Sequence, residues 1–179
     1  MSKPPSNLFI GTKGEVAAHG DAEKVIASRS VGLDLREHPV KMKQLSSKQR
    51  RSLAQQIKNR TATREEYARY MWDKRFKARR SEGVKAFWSQ ERDRLVSGKT
   101  STRNWTSEQR ADILADRTPK YAGKPIQAHH SFSAKLYPQL ANRGEIIYPA
   151  TYLEHLKGWH GGSYKKSRPG RRIRPINEF

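Results

Sequence analysis

Apolar positions between residues 45 and 117 recur at intervals of three and four, which is the period of an amphipathic helix. Within this stretch, three segments open with serine or threonine followed three residues later by glutamine or glutamate. This capping-box pattern starts helices, and here it begins at Ser46, Thr63 and Thr106. Gly83 interrupts the second segment and is predicted to break or kink that helix. We therefore expect a helical region over residues 45–117.

The C-terminal third has a different pattern, with turn residues and short β-branched or aromatic runs. It predicts a turn that leads into a strand ending at His130, and a second strand over residues 146–148. A fourth capping box begins at Thr151 and predicts a helix directly after the second strand. Gly158 and then Gly161 and Gly162 limit this helix, which places His160 at or just past its C-terminal end. The basic residues 163–175, punctuated by glycine and proline, are predicted to be loop.

These elements predict an α+β fold, in which a helical N-terminal half packs on a small unit of two strands and a helix. We assign residues 45–117 to the helical region and residues 118–179 to the small unit with its basic tail. Residues 1–44 show little periodicity and are interpreted as a linker or a loosely structured lead-in.

The chain is strongly basic, with 37 lysines and arginines against 17 aspartates and glutamates and a formal charge of +20. Such an excess favours partners that carry phosphate or other negative charge. The absence of cysteine excludes disulfides and thiolate metal sites, so any metal site must use histidine and carboxylates. No apolar run reaches membrane-spanning length, and the N-terminus lacks the apolar core of a signal peptide. We expect no membrane association.

Four of the six histidines fall within 32 residues, at His129, His130, His155 and His160. Neutral imidazole is the commonest side-chain metal ligand, and it also titrates near neutral pH. Three of these histidines could bind a metal, which would leave the fourth to act as a base. On a basic protein, a metal and a base indicate hydrolysis of a polyanion, most simply nucleic acid. The other two, His19 and His38, are interpreted as structural or surface residues.

The order of strand, tandem histidines, strand and histidine-bearing helix resembles the HNH or ββα-metal nuclease family, also called His-Me finger nucleases. Within that family it is most similar to DNase bacteriocins and to the nuclease modules of bacterial polymorphic toxins. The matching stretches are residues 127–130, 147–151 and 154–162, and residues 87–110 are similar to the lead-in of such toxin modules.

The resemblance implies a treble-clef-like ββα-metal motif in which His130 is the general base that activates water. It implies that His129, His155 and His160 hold one divalent metal ion, which contacts the scissile phosphate and offsets charge on the leaving oxygen. It does not choose among magnesium, zinc, nickel and manganese.

The chain departs from the family pattern in two places. An asparagine usually precedes the metal-binding helix and orients the base, but the matching place here is near Glu145 and Ile146, and neither residue is asparagine. Asn142 could take that role, or a backbone carbonyl could orient His130 instead. The second departure is the spacing of five between His155 and His160. Five residues turn a regular helix by roughly 140°, so the imidazoles converge only if the helix ends between them.

The function we expect is a metal-dependent endonuclease toxin that cuts DNA with little sequence specificity. The resemblance implies delivery by a larger secreted effector into the cytoplasm of competitor bacteria, and an acidic immunity protein that protects the producer. Four basic residues nearer the histidines in sequence are predicted phosphate ligands, namely Arg103, Arg110, Lys124 and Arg143. At least one residue of the basic runs 74–80 and 165–174 is also expected to contact phosphate.

Other interpretations stay open at this point. The histidines could form a structural zinc site, with His130 as the fourth ligand and no room for substrate. The chain could be a phage or mobile-element HNH endonuclease with no toxin role. It could also be a basic nucleic-acid-binding protein that has a structural metal and no catalytic activity.

Overall fold

A computed structural model describes residues 21–41 and 43–179. His19, interpreted as a structural or surface residue, lies outside the described residues. The elements are α1 (Ala22–Arg29), α2 (Ser47–Lys58), α3 (Arg64–Val96), α4 (Ser107–Leu114), β1 (Lys120–Tyr121), β2 (Lys124–Pro125), β3 (Gln127–His130), 3-10 turns at Pro138–Leu140 and Gly144–Ile146, β4 (Ile147–Ala150) and a π-helix (Glu154–Trp159). The predicted α+β class is confirmed. Among the described residues, no helix combines the length and the apolar character that crossing a bilayer requires.

The capping boxes read from the sequence are present at all four positions. Before α2, α3 and α4, the capping residues are Ser46, Thr63 and Thr106. The hydroxyl of each capping residue accepts from the backbone N–H three residues later, and the Gln or Glu side chain at that later position accepts from the backbone N–H of the capping residue. At the fourth box, Thr151 Oγ1 accepts from the N–H of Glu154 at 3.2 Å, and a Glu154 oxygen accepts from the N–H of Thr151 at 2.8 Å. Each such cap contributes about 1 kcal/mol to helix stability.

Gly83 does not break α3, which runs without interruption for 33 residues. A Cβ atom at Gly83 would lie 2.2 Å from the carbonyl oxygen of Ala141, closer than atoms can approach. Gly144 is similar, because its Cβ would lie 2.6 Å from the backbone nitrogen of Phe87. The two glycines therefore let the 138–146 segment pack directly against the backbone of α3.

The prediction that residues 1–44 are loosely structured is wrong for α1. Asp21 caps this helix by accepting from the N–H of Lys24 at 3.2 Å, and Ala22 and Ile26 are buried in the core. An ion pair of 2.8 Å joins Glu23 to Arg172 near the other end of the chain. These tertiary contacts stabilise a helix of only eight residues, whose short apolar pattern does not reveal it.

Strands β3 and β4 form an antiparallel pair that places the tandem histidines. His129 lies opposite Tyr148, and His130 lies opposite Ile147. Successive strand residues point to opposite faces, so the two histidines face different sides of the pair. His129 is 4% exposed beside Trp159, whereas His130 is half-buried.

Candidate functional site

Three of the four clustered histidines converge in space. One nitrogen from each of His129, His155 and His160 can be chosen so that all three lie within 4.8 Å of one another. The Nε2 atoms of His155 and His160 are 3.2 Å apart, and the ring of His129 lies 4.8 Å from that of His155 and 5.0 Å from that of His160. The structure therefore brings together the three residues predicted to bind a metal.

Hydrogen bonds at the far side of two rings select which nitrogen faces the cluster. His160 Nδ1 lies 2.6 Å from the carbonyl oxygen of Lys166. A carbonyl can only accept, so Nδ1 carries the proton and Nε2 keeps its lone pair. His155 Nδ1 lies 2.5 Å from Oε1 of Gln127, which leaves Nε2 of His155 in the same state. Two lone pairs thus face each other across 3.2 Å, an arrangement that a cation between them would stabilise.

A π-helix explains how residues five apart can converge. The N–H of His160 donates to the carbonyl of His155 at 3.1 Å, which is the i to i+5 hydrogen bond of a π-helix. Residues five apart therefore lie nearly above one another. The helix ends at Trp159, so the expectation that it ends between the two histidines is confirmed, with His160 just past its last residue. Gly158 does not end the helix, because it lies inside the π-helix.

The donor set fits a divalent metal ion that imidazole binds well. Tetrahedral coordination with metal–nitrogen distances of about 2.0–2.1 Å separates two ligand nitrogens by roughly 3.3 Å, close to the separation observed. Burial, and then the charges of neighbouring histidines, lower the pKa of His129 well below its usual value. Burial and His160 lower the pKa of His155 to about 4. Both imidazoles are therefore neutral at pH 7, the form that binds metals.

His130 lies outside this cluster and is oriented by the backbone. Its Nε2 is 2.9 Å from the carbonyl oxygen of Ala141, so Nε2 carries the proton and Nδ1 keeps the lone pair. Burial lowers the pKa of His130, the Ala141 carbonyl raises it, and the charge of Arg80 lowers it, with a net shift below the usual value. Asn142 makes no hydrogen bond to His130 in the described part of the chain, and its side-chain oxygen instead accepts from Arg79 at 2.9 Å. The sequence offered Asn142 or a backbone carbonyl as the group that orients His130, and in the structure the carbonyl of Ala141 makes this contact.

Arg103 is a core residue and offers no surface to a phosphate. Its side chain is 1% exposed, and its guanidinium donates two hydrogen bonds to the carboxylate of Glu154 at 2.5 and 2.8 Å. It also donates to the carbonyls of Pro149 and Phe179, at 3.0 and 2.5 Å. We therefore assign Arg103 to positioning the start of the π-helix, which corrects its interpretation as a phosphate ligand.

The other three predicted phosphate ligands are exposed. Arg110 lies on α4, Arg143 precedes the second 3-10 turn, and Lys124 lies with its Nζ 4.9 Å from the centroid of the Tyr152 ring. Nothing in the described part of the chain places any of them beside His130.

Sequence reasoning missed the groups that hold the histidines. Gln127 and His129 are two residues apart on β3, so their side chains lie on the same face of the strand. This two-residue spacing could have indicated that Gln127 lies beside the metal ligands. The carbonyls of Ala141 and Lys166 carry no such signal, because every residue has a carbonyl.

Residues 71–151 match the model of a protein family described as Tox-GHH, a GHH signature containing HNH/Endo VII superfamily nuclease toxin. The matched region includes the tandem histidines, which here follow Ala128 where the signature has glycine. It ends before His155 and His160, whose place in the site rests on the geometry. No curated protein and no solved structure gives a match. The family match supports a nuclease toxin module in this part of the chain, acting on nucleic acid.

Proposed function

We propose that the protein is a metal-dependent endonuclease toxin that hydrolyses phosphodiester bonds of DNA with little sequence specificity. One observation carries the proposal: three imidazoles converge, two of them with lone pairs inward, while a fourth, on His130 of β3, keeps an unprotonated Nδ1. The match to a nuclease toxin family supports the nuclease and toxin parts of this proposal.

In the proposed site, His129, His155 and His160 hold the ion. A divalent ion bound there would stabilise negative charge on the phosphate and on the leaving 3′ oxygen. Three protein ligands leave a coordination position for substrate, which distinguishes this arrangement from a closed four-ligand structural site. An all-imidazole set favours zinc or nickel over magnesium, which prefers oxygen ligands.

His130 acts as the general base. Its Nδ1 accepts a proton from the water whose oxygen attacks phosphorus, while the bond from phosphorus to the 3′ oxygen breaks and that oxygen takes a proton from solvent. The low pKa keeps His130 neutral and able to accept a proton at pH 7. The Ala141 carbonyl, fixed against α3 at Gly83, holds the ring in the tautomer that this role needs.

The charge of the chain supports nonspecific recognition of DNA. Backbone contacts from lysine and arginine carry no sequence information, and a formal charge of +20 supplies many of them. We propose that an acidic immunity protein neutralises this surface in the producing cell. We also propose that a secreted effector delivers the nuclease into the cytoplasm of competing bacteria.

The proposal is tested by incubating the purified protein with supercoiled plasmid and, separately, with folded RNA. Each substrate is tested in EDTA and with zinc, nickel, manganese or magnesium. We expect plasmid nicking that requires a metal, weaker action on RNA, and loss of nicking in His155→Ala and His160→Ala. His38→Ala, which changes a histidine outside the site, should nick like the wild type. Nicking that persists in EDTA would contradict metal dependence, and cleavage of RNA alone would contradict the DNA assignment.

A further inference from the structure

A shallow depression of about 370 Å³ lies between α3 and β3, beside the candidate base. Its lining residues are Lys77, Arg80, Ser81, Val84, Ala128 and His130. Two are cations and none is acidic. Lys77 and Arg80 are exposed, and neither has a carboxylate within ion-pair distance in the described part of the chain. The depression therefore offers positive charge at the place where His130 is accessible.

The α3 residues of this depression form one stripe along the helix. Lys77, Arg80 and Val84 are spaced by three and four, so they share one helix face. A second depression continues the same face past Val84 to Trp88. The arginines of that second depression are already paired, since Arg92 contacts Asp116 at 3.1 Å and Arg117 contacts Asp112 at 2.9 Å. Lys85 also lines the second depression and has no ion pair among the described residues, but Lys77 and Arg80 are the cations that line the depression containing His130.

We propose that Lys77 and Arg80 bind phosphates of the substrate strand next to the bond that is cut, so that the strand crosses α3 beside His130. This inference rests on the proposed function, because it takes His130 to mark the cleavage point. The ligand class is a phosphodiester backbone, which two exposed cations can bind without contacting bases. Within the basic run 74–80 on α3, the proposal gives a binding role to Lys77 and Arg80 and none to Arg75.

Arg75 provides a matched control on the same helix. It is exposed and basic, but it lies five residues before Arg80 and so points about 140° away around the helix. Lys77→Ala, Arg80→Ala and Arg75→Ala each remove one exposed positive charge, so they lower the net charge of the protein equally. Only the first two remove a group from the depression.

The test measures binding without cleavage, by fluorescence anisotropy of a labelled DNA duplex in EDTA over a range of salt concentrations. One lost phosphate contact reduces the slope of log K against log[salt] by about 0.9, which corresponds to roughly five- to tenfold weaker binding at 0.1 M salt. We expect this change for Lys77→Ala and Arg80→Ala, wild-type behaviour for Arg75→Ala, and recovery in Lys77→Arg and Arg80→Lys. A labelled RNA in the same assay shows whether the stripe also holds that backbone.

The outcomes separate this inference from the proposed function. If all three alanine variants bind alike while the wild type nicks plasmid, the stripe is not the binding surface and the nuclease proposal stands. If Lys77→Ala and Arg80→Ala weaken binding but no metal supports cleavage, the surface binds nucleic acid and the nuclease proposal fails. Thermal unfolding of each variant checks that the exposed substitutions leave the fold intact.

Discussion

The Nε2 atoms of His155 and His160 lie 3.2 Å apart, and each ring is held from behind through its Nδ1 atom. Gln127 holds the first ring and the carbonyl of Lys166 holds the second. The ligands are therefore positioned by the protein before a metal binds, which reduces the entropy lost on binding. A substitution can remove the Gln127 side chain, but it cannot remove the carbonyl of Lys166, because that group belongs to the backbone.

Gln127→Ala should weaken metal binding by roughly 10- to 100-fold, because outer contacts orient ligating histidines. Isothermal titration calorimetry with zinc measures the effect. Gln127→Glu keeps an acceptor and should retain more of the affinity than the alanine variant. Gln55→Ala removes an exposed glutamine of α2 and serves as the control. Equal affinities for Gln127→Ala and Gln55→Ala would mean that the contact does not support the site.

Gly83→Ala should destabilise the protein, although alanine normally stabilises a helix relative to glycine by about 1 kcal/mol. The new methyl group would overlap the carbonyl of Ala141, and such overpacking typically costs about 1–3 kcal/mol. Displacing that carbonyl should also slow cleavage, because it orients His130. Urea unfolding and plasmid nicking measure the two effects, with the neighbouring exposed Glu82→Ala as control. A more stable Gly83→Ala variant would show that the contact is loose.

Arg103→Ala should cost about 3–5 kcal/mol of unfolding free energy, since it leaves the carboxylate of Glu154 buried without its partner. The same substitution at the exposed Arg110 should change stability by less than about 0.5 kcal/mol. Urea unfolding at pH 7 compares the two. If Arg103→Ala weakens DNA binding and leaves stability unchanged, its assignment to the core is wrong.

The buried Asp73 carboxylate makes the free energy of unfolding depend on pH. Burial raises its pKa, but hydrogen bonds from Arg50 and from the N–H of Leu45, with the charges of Arg50 and Lys77, bring the net pKa below its usual value. A lowered folded-state pKa means that the stabilisation is complete above the unfolded pKa, near 4. It is lost as pH falls through the folded value.

Asp73→Asn should therefore cost about 1.5–3 kcal/mol at pH 7, and this deficit should shrink below pH 4. Urea unfolding of both proteins at pH 7, 5, 4 and 3 gives the difference directly. Other carboxylates titrate in both proteins and cancel in the comparison. A deficit that stays constant between pH 7 and pH 3 would contradict the lowered pKa.

Local sequence patterns predicted much of the fold. The capping boxes at Ser46, Thr63, Thr106 and Thr151 depend only on residues three apart, so they could be read directly. The α+β class followed from the change in apolar period near residue 118. By contrast, α1 is stabilised by contacts with residues far along the chain, and such contacts leave no local pattern.

The convergence of the histidines and the end of the helix between His155 and His160 were predicted, but the π-helix that joins them was not. The π-helix depends on tertiary hydrogen bonds, including those that Gly158 accepts from the N–H groups of Ile173 and Arg174, both at 2.9 Å. The burial of Arg103 depends on Glu154, 51 residues away, which no spacing rule relates to it.

In the proposed mechanism, His130 is the base and the other three histidines hold the metal. The most direct measurement is the plasmid nicking rate of His130→Ala at saturating metal, with metal occupancy determined on the same sample by calorimetry. We predict wild-type occupancy and a nicking rate reduced by about 100-fold or more, because the group that accepts the proton is lost while the ligands remain. Nicking at the wild-type rate with full metal occupancy would show that His130 is not the base.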